Sequence, residues 1–551
     1  LAIEFSTPNL DATIKTQADY QTRENAFENR SLHCGMASER KREVGVLCHI
    51  TSLAGGGPHG TLSAAAEFID KLSKSGCSVW QMLPLTPPDE HASPYASSSA
   101  FAAWAALAED TNSGQGVKPE NGCRIGENRI EWEKKESHWL DDWSLYSAIK
   151  KAQNNQPWTK WPALLRDRDP EAIAEQKLHL SDEIKDEKNA QLTFMQSWNA
   201  MRNYSAKKGV RLFGDLPFFI AHDSADVWAN RHLFHLNPDG SPSLVAGVPP
   251  DYFSEKGQRW GTMLYDWDEH RGTGFAWWKA RMTRMFNLFD MVRIDHFRAL
   301  EASWSISATD STAEHGAWQE GPGDELLQAI MEVIPNGESD FSSDLCQSGL
   351  VAEDLGIIPP SVVAIRRRFG IPGMAVLQFG FDDDNTGTAV VDDVQSTVAK
   401  AAVSVHSNPN HPASICYDQI AYTGTHDNDT TVGWWSSSPD VRRCRLQKYA
   451  TSYSRADLNS EPSSEFSTKT EAMSESSAVQ SLIQMALNST ADIAIVPVQD
   501  IAALGSEARM NTPGTEAGNW RWRLEAGIPD EDDWIRFANQ IQESGRGGQL
   551  E

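Results

Sequence analysis

Residues 291–297 read Met291-Val292-Arg293-Ile294-Asp295-His296-Phe297. The run begins with the bulky, β-branched side chains of a strand covered on both faces. It ends on a carboxylate that is costly to bury without a partner or a task. Four other runs share this grammar: VRLFGDLPFF with Asp215, GLVAEDLG with Glu353, AYTGTHDN with Asp427 and IAIVPVQD with Asp500. One such coincidence carries little weight, but five in one chain point to parallel strands whose carboxyl ends build a polar site.

Working outward from residue 291, eight apolar runs are bounded by turn or charged residues. They are VGVLCHI (44–50), SVWQMLPL (78–85), VRLFGDLPFF (210–219), MVRIDHF (291–297), GLVAEDLG (349–356), MAVLQFGF (374–381), AYTGTHDN (421–428) and IAIVPVQD (493–500). Eight is the number that closes a parallel barrel. Helix-period segments such as LSAAAEFIDKLSKSG and FAWWKARMTRMFNLFD separate the strands, as βα alternation requires. The expected fold is therefore α/β, a (β/α)8 barrel. The connections at about 86–209 and 220–290 are too long for structureless loops, so they must be ordered insertions, mainly helical, on the C-terminal face: the first is rich in helix formers and Trp, and the second holds LFHLNPDGSPSLVAGVPPDYFSEKGQRWG, a Pro, Gly and aromatic mixture typical of an ordered lid. Residues 1–40 read as an irregular extension, 41–526 as the barrel and 527–551 as a tail. The Ser- and Glu-rich tract 452–478 reads as a surface excursion.

Charge narrows the function classes. The chain has 551 residues, with 76 acidic against 49 basic side chains and a formal charge of −27. That balance disfavours an electrostatic grip on nucleic acid or an anionic membrane and points to a neutral substrate. The seven cysteines, Cys34, Cys48, Cys77, Cys123, Cys346, Cys416 and Cys444, are widely spaced and form no C-x-x-C pair. Reduced thiols in the cytoplasm or an organelle interior are expected. The first residues are not a signal peptide, and the acidic Asp11, Asp19, Glu24 and Glu28 argue against a transit peptide. No Gly-rich phosphate loop or metal-ligand cluster stands out, so neither metal nor organic cofactor is expected.

The carboxylates suggest the chemistry. Arg293 and Asp295 lie two apart on a strand and share a face, so the guanidinium is expected to keep Asp295 ionised as a nucleophile. Glu353, beside Val351, Ala352 and Leu355, has the apolar surroundings that raise a carboxyl pKa and suit a proton donor. Two carboxyl groups on adjacent strands can supply the separation of about 5–5.5 Å that gives retention at a sugar carbon. Asp427, with His426 beside it, reads as a third carboxylate for sugar hydroxyls, and His296 as a further donor. A single Arg-x-Asp is more often a plain ion pair and a lone histidine more often structural; the joint pattern is what favours catalysis. Among twenty tryptophans, Trp260 stands out as a sugar-stacking candidate.

Four segments carry a resemblance: MVRIDHFRALEASW, VAEDLGIIPPSVVAIRRRFGIPGMAVLQFGF, YTGTHDNDTTVGWW and PVQDIAALGSEARMNTPGTEAGNWRWRL. Together with GCSVWQMLPLTPPDEHASPYASSSAFA and GDLPFFIAHDSADVW they resemble the 4-α-glucanotransferases (amylomaltases) of glycoside hydrolase family 77 over residues 42–525. The resemblance implies a retaining barrel without a separate C-terminal β-domain. It implies Asp295 as nucleophile, Glu353 as general acid/base and Asp427 as transition-state stabiliser. It further implies substrate contacts at Tyr95, Asp215, Trp260, Arg293, His296, Phe379, His426 and Asn511. The chain departs from the family pattern at Thr262-Met263, Ala299 and Ala103-Trp104-Ala105, and at none of the three carboxylates. Expected substrates are maltooligosaccharides and starch- or glycogen-derived glucans, acted on by a monomer or homodimer in the cytoplasm or, alternatively, the plastid stroma. A hydrolase on the same barrel and a non-catalytic glucan-binding protein are the competing readings.

Overall fold

The computed structural model describes residues 42–55, 62–108, 125–250, 254–335, 348–382, 408–456, 473–515 and 517–547. The N-terminal extension, most of the Ser-rich tract and much of the segment before the seventh expected strand lie outside the described residues. Twelve strands are described: β1 (Glu43–Leu47), β2 (Val79–Gln81), β3 (Arg211–Leu216), β4 (Leu244–Val248), β5 (Gln258–Met263), β6 (Met291–Ile294), β7 (Ala302–Ser307), β8 (Gly316–Glu320), β9 (Leu350–Ala352), β10 (Gly373–Val376), β11 (Gln419–Tyr422) and β12 (Ile493–Pro497).

Eight of these form a parallel sheet in the order β10-β11-β12-β1-β2-β3-β6-β9. Between the end strands, the Ala352 N–H donates to the Pro372 carbonyl at 2.8 Å and brings the sheet round to a barrel. All eight expected strands are present. Their period-2 alternation explains the two apolar layers: each barrel strand sends at least one side chain, such as Leu47, Val79, Phe213, Met291, Val351, Met374, Ile420 and Ile493, into a single interior cluster. The alternate residues, including Val46, Trp80, Leu212 and Val292, pack outward under the helices. Gly214 in β3 is required by this packing, since a Cβ there would lie 2.2 Å from the Phe289 ring.

The connection after β2 is helical as expected. Helices Ile125–Ala152 and Ser181–Lys207 pack together, and Trp198 of the second donates from its indole to the Leu288 carbonyl at 2.8 Å. The next connection carries the helices Ala225–Ala229, Trp267–Gly272 and Ala276–Leu288 and, in its Pro-, Gly- and aromatic-rich stretch, two strands. These are β4 and β5, which join β7 and β8 from the segment after β6 in a four-stranded antiparallel sheet of order β5-β4-β7-β8.

Two expectations change. The seventh barrel strand ends at Tyr422, so His426 and Asp427 stand on the following loop. Residues 527–551 contain more than a tail: Glu531–Glu543 is a helix with an Asp530/Asp533 capping box, and it buries Trp534, Phe537 and Ile541 against the main core. Just beyond it, the buried Arg546 donates to the carbonyls of Glu43 (3.1 Å), Ser489 (2.8 Å), Ala491 (2.6 Å) and Asp492 (3.2 Å), and to that of Leu487. One side chain thus ties together the starts of β1 and β12. No helix among the described residues is long and apolar enough to cross a membrane.

Candidate active site

Strand register sets the geometry of the barrel mouth. Asp215 in β3 pairs with Arg293 in β6, Arg293 pairs with Val351 in β9, and Ile294 pairs with Ala352. Asp295 and Glu353 are thus the next residues on neighbouring parallel strands. The ladder runs one residue beyond each strand, because the Asp295 N–H donates to Leu216 O and the Glu353 N–H to Ile294 O, both at 3.0 Å. Alternation then turns Phe213 and Asp215, Met291, Arg293 and Asp295, and Val351 and Glu353 to the same interior side.

Polar contacts fix these groups. Arg293 Nη1 lies 2.6 Å from Asp215 Oδ2, and Nη2 lies 3.0 Å from Asp295 Oδ1. Glu353 accepts the His296 N–H at Oε2 (2.8 Å) and the Leu355 N–H at Oε1 (3.1 Å). His296 has a left-handed backbone (φ 51°), uncommon for a side-chain-bearing residue. The neighbouring Asp354 faces away: it accepts the Met374 N–H at 2.8 Å and pairs with Arg366 at 3.1 Å. Gly373 makes room for it, since a Cβ there would meet the Asp354 carboxylate at 2.3 Å. Of the Glu353-Asp354 pair, the first is available for chemistry and the second is structural.

Asp427 is held by a different device. In its loop, Asn428 Oδ1 accepts from the backbone and hydroxyl of Thr425 (2.9 and 2.8 Å). Asn511 Nδ2 donates to Asp427 Oδ1 at 2.6 Å, and Arg509 donates to the Asp427 carbonyl at 2.8 Å. Tyr95 joins this loop to the strands, with its hydroxyl 2.8 Å from Asp215 Oδ2 and 2.9 Å from His426 Nε2. His426 Nε2 lies 3.4 Å from Asp427 Oδ2. A continuous chain therefore runs Asp295–Arg293–Asp215–Tyr95–His426–Asp427. Trp260 is 39 % exposed, with its ring 4.8 Å from that of His296. Phe379 packs at the rim of the interior cluster.

Asp500, the fifth carboxylate of the sequence pattern, is not among these contacts. It lies in the short helix Val498–Ile501, accepts the Thr423 hydroxyl (2.6 Å) and the Thr431 N–H (2.8 Å), and ties β11 to the helix that follows it. Sequence reasoning missed three residues here. Trp520 lies 5.5 Å from the Tyr95 ring and 5.9 Å from that of His426; Arg509 holds the Asp427 loop; and His49 is buried near His426, where desolvation and the Arg523 charge push its imidazole down to about 3. Arg509 and Trp520 belong to the segment RMNTPGTEAGNW, and their roles follow from where that segment returns over the barrel mouth.

Electrostatics corrects one expectation. Burial is the largest influence on Asp295 and pushes its carboxyl up; Arg293 opposes it, while Asp215, Glu353 and Asp427 add to the rise. The guanidinium, which also pairs with Asp215, does not offset that burial, so Asp295 is not held in the usual carboxylate range. Glu353 is also raised, chiefly by burial, as its apolar neighbours led us to expect. Burial pushes His426 below its ordinary value and His296 down to about 4, so both rings are neutral near pH 7. With Tyr95 donating to Asp215, the neutral His426 carries its proton on Nε2 and donates to Tyr95. Among the described residues, no group of three or more His, Cys, Asp or Glu side chains is arranged to hold a metal ion.

The model of the 4-alpha-glucanotransferase family matches residues 48–111 and 124–528. The chain belongs to the 4-α-glucanotransferase family. It is 37 % identical over 527 residues to the 4-alpha-glucanotransferase of Thermus thermophilus, covering 89 % of this chain and 96 % of the relative. It is 36 % identical over 529 residues to the chloroplastic/amyloplastic 4-alpha-glucanotransferase DPE1 of Arabidopsis thaliana, covering 88 % and 82 %. Among solved structures, an amylomaltase from Streptococcus agalactiae in complex with acarbose is similar at a TM-score of 0.75 and 28 % identity, over 92 % of this chain and all of that one. The protein is accordingly an enzyme, a glycosyl-transferring one acting on α-1,4-glucans.

Proposed function

We propose that the protein transfers a segment of a 1,4-α-D-glucan to the 4-hydroxyl of an acceptor glucan or glucose by retaining double displacement. The observation that carries this reading is the register of β6 and β9. Asp295 and Glu353 follow directly on a paired couple of parallel strands, which lie about 4.7–4.9 Å apart, close to the carboxyl separation of retaining enzymes.

In the first step an Asp295 carboxylate oxygen bonds to C1 of the donor sugar as the C1–O bond to the leaving chain breaks. The Glu353 proton passes to the leaving oxygen. In the second step Glu353 takes the proton of the acceptor 4-hydroxyl, whose oxygen bonds to C1 as the ester to Asp295 breaks. Both carboxyls are raised by burial, and of the two only Asp295 touches a cation, at 3.0 Å, so the proton is assigned to Glu353. Asp427, with 44 % of its side chain exposed, serves the sugar hydroxyls and the distorted ring of the transition state. Tyr95, Asp215, Arg293, His296, His426 and Asn511 hold these groups and the donor ring, and Trp260 and Phe379 supply apolar faces.

The reading is tested by incubating the purified protein with maltotriose and following chain lengths and reducing ends together. Glucose and longer maltooligosaccharides at constant reducing ends are expected. A rise in reducing ends would mean that water resolves the intermediate, and an unchanged substrate would refute the reaction.

A further inference from the structure

The only two tryptophans in the exposed range among the described residues, Trp260 at 39 % and Trp318 at 43 %, occupy the two edge strands, β5 and β8, of the accessory sheet. Both reach the segment just after the β6 carboxylate. Trp260 meets His296, and Trp318 lies under Arg298, whose guanidinium carbon stands 4.0 Å from the indole centroid. Arg298 also donates from Nη1 to the Ile357 carbonyl at 2.6 Å, on the segment that leaves Glu353. Trp304, the cross-strand partner of Trp318, touches it edge-on at 5.3 Å. One face of the Trp318 ring is thus held by a cation and one edge by a second indole, while the rest faces solvent.

A purely architectural role explains part of this. A cross-strand aromatic pair contributes about 0.5–1.5 kcal/mol and a cation over an indole a similar amount. Neither needs the ring to remain so open at the rim of the mouth. A flat, pre-positioned indole beside a fixed guanidinium is what the apolar face and ring hydroxyls of a glucose unit require. Arg298 ties Trp318 to the segment after Glu353. In the proposed reaction Glu353 protonates the leaving oxygen, so the departing chain and the incoming acceptor occupy its side of the scissile bond.

We propose that Trp318, held by Arg298, is a glucan-binding position outside the catalytic cleft that takes the distal part of long leaving and acceptor chains. It rests on the glucanotransferase reading above and sets chain-length preference without entering the chemistry. Trp318→Ala is expected to raise KM for maltoheptaose about fivefold while leaving kcat and maltotriose kinetics unchanged, and Trp318→Phe, which keeps an aromatic face, should recover most of the loss. An unchanged KM for maltoheptaose would overturn the proposal. So would an equal loss on both substrates, which is what damage to the sheet alone would produce. Calorimetric binding of maltoheptaose to the same proteins separates the two readings. Weaker binding by Trp318→Ala in a protein that performs no transfer would keep the position and refute the reaction; unaltered binding with normal transfer would refute the position alone.

Discussion

The Tyr95 hydroxyl bridges Asp215 Oδ2, at 2.8 Å, and His426 Nε2, at 2.9 Å. It is the one link between the strand-borne Asp295–Arg293–Asp215 row and the loop-borne His426–Asp427 pair in this chain of contacts. A hydrogen bond to a charged group is worth about 1.5–3 kcal/mol. Tyr95→Phe should therefore lower kcat/KM on maltotriose by about 10- to 100-fold with little change in thermal unfolding. A variant with wild-type kcat/KM would show that the bridge does not matter to turnover.

Removing either carboxyl of the proposed catalytic pair should separate binding from chemistry. Asp295→Asn is expected to abolish turnover while glucan binding, measured by calorimetry, persists. Glu353→Gln should spare an activated α-glucosyl donor with a good leaving group more than a natural glucan, since the first step then needs no proton. Equal losses on the two donors would argue against Glu353 as the acid.

The pH dependence follows from charges around Asp295. Its carboxyl is raised by burial and by the negative Asp215, Glu353 and Asp427, against the pull of Arg293. Asp215→Asn removes one of the raising charges and frees Arg293, so the Asp295 carboxyl falls. In the proposed mechanism Asp295 reacts as the ionised form, so the acid limb of kcat/KM should move to lower pH, by about one unit. The absolute rate is expected to fall as well, since the proposed mechanism gives Asp215 a part in holding the donor; the limb, not the height, reads the electrostatics.

Asp226 offers a stability counterpart. It is buried in the helix Ala225–Ala229 and accepts the Ala100 N–H at 2.7 Å, anchoring the segment that carries Tyr95. Burial raises its carboxyl from 3.8 to about 6. The folded state therefore holds the proton more tightly than the unfolded chain. The resulting stabilisation is complete below the ordinary carboxylate value and lost as pH rises to about 6. Relative to the wild type, Asp226→Asn should gain on the order of 2–3 kcal/mol across that window. Denaturant unfolding of both proteins at its two ends checks this, and a constant difference would refute it.

The barrel strands were legible because each is an apolar run ending in a functional or turn residue. The accessory sheet was not. β8, GAWQE, is exposed at nearly every position, and β5, QRWGTM, has no clean alternation, so both owe their conformation to partners far along the chain. The C-terminal helix did carry a signal, the i, i+3, i+7 spacing of Trp534, Phe537 and Ile541, but only one side of a short charged segment shows it. Of the candidate site, Asp295 and Glu353 could be read from strand ends. Asp500 looked the same in one dimension and differs because its strand turns at once into a helix whose neighbours, Thr423 and Thr431, satisfy the carboxylate. Trp520 and Arg509 lie beyond the last strand, and no periodicity marks a segment that folds back over the opening.

The Arg546 clamp bears on biosynthesis. It grips the carbonyl of Glu43, at the start of the first barrel strand, and those of Ala491 and Asp492, just ahead of the last. β1 cannot align with β12 until residues 493–497 have been made, and the arginine that secures that seam is translated later still. During synthesis the nascent first strand therefore waits, with one edge unpaired, until residues 493–497 have been made. That edge is the point at which a growing chain of this protein most needs shielding from its neighbours on the polysome.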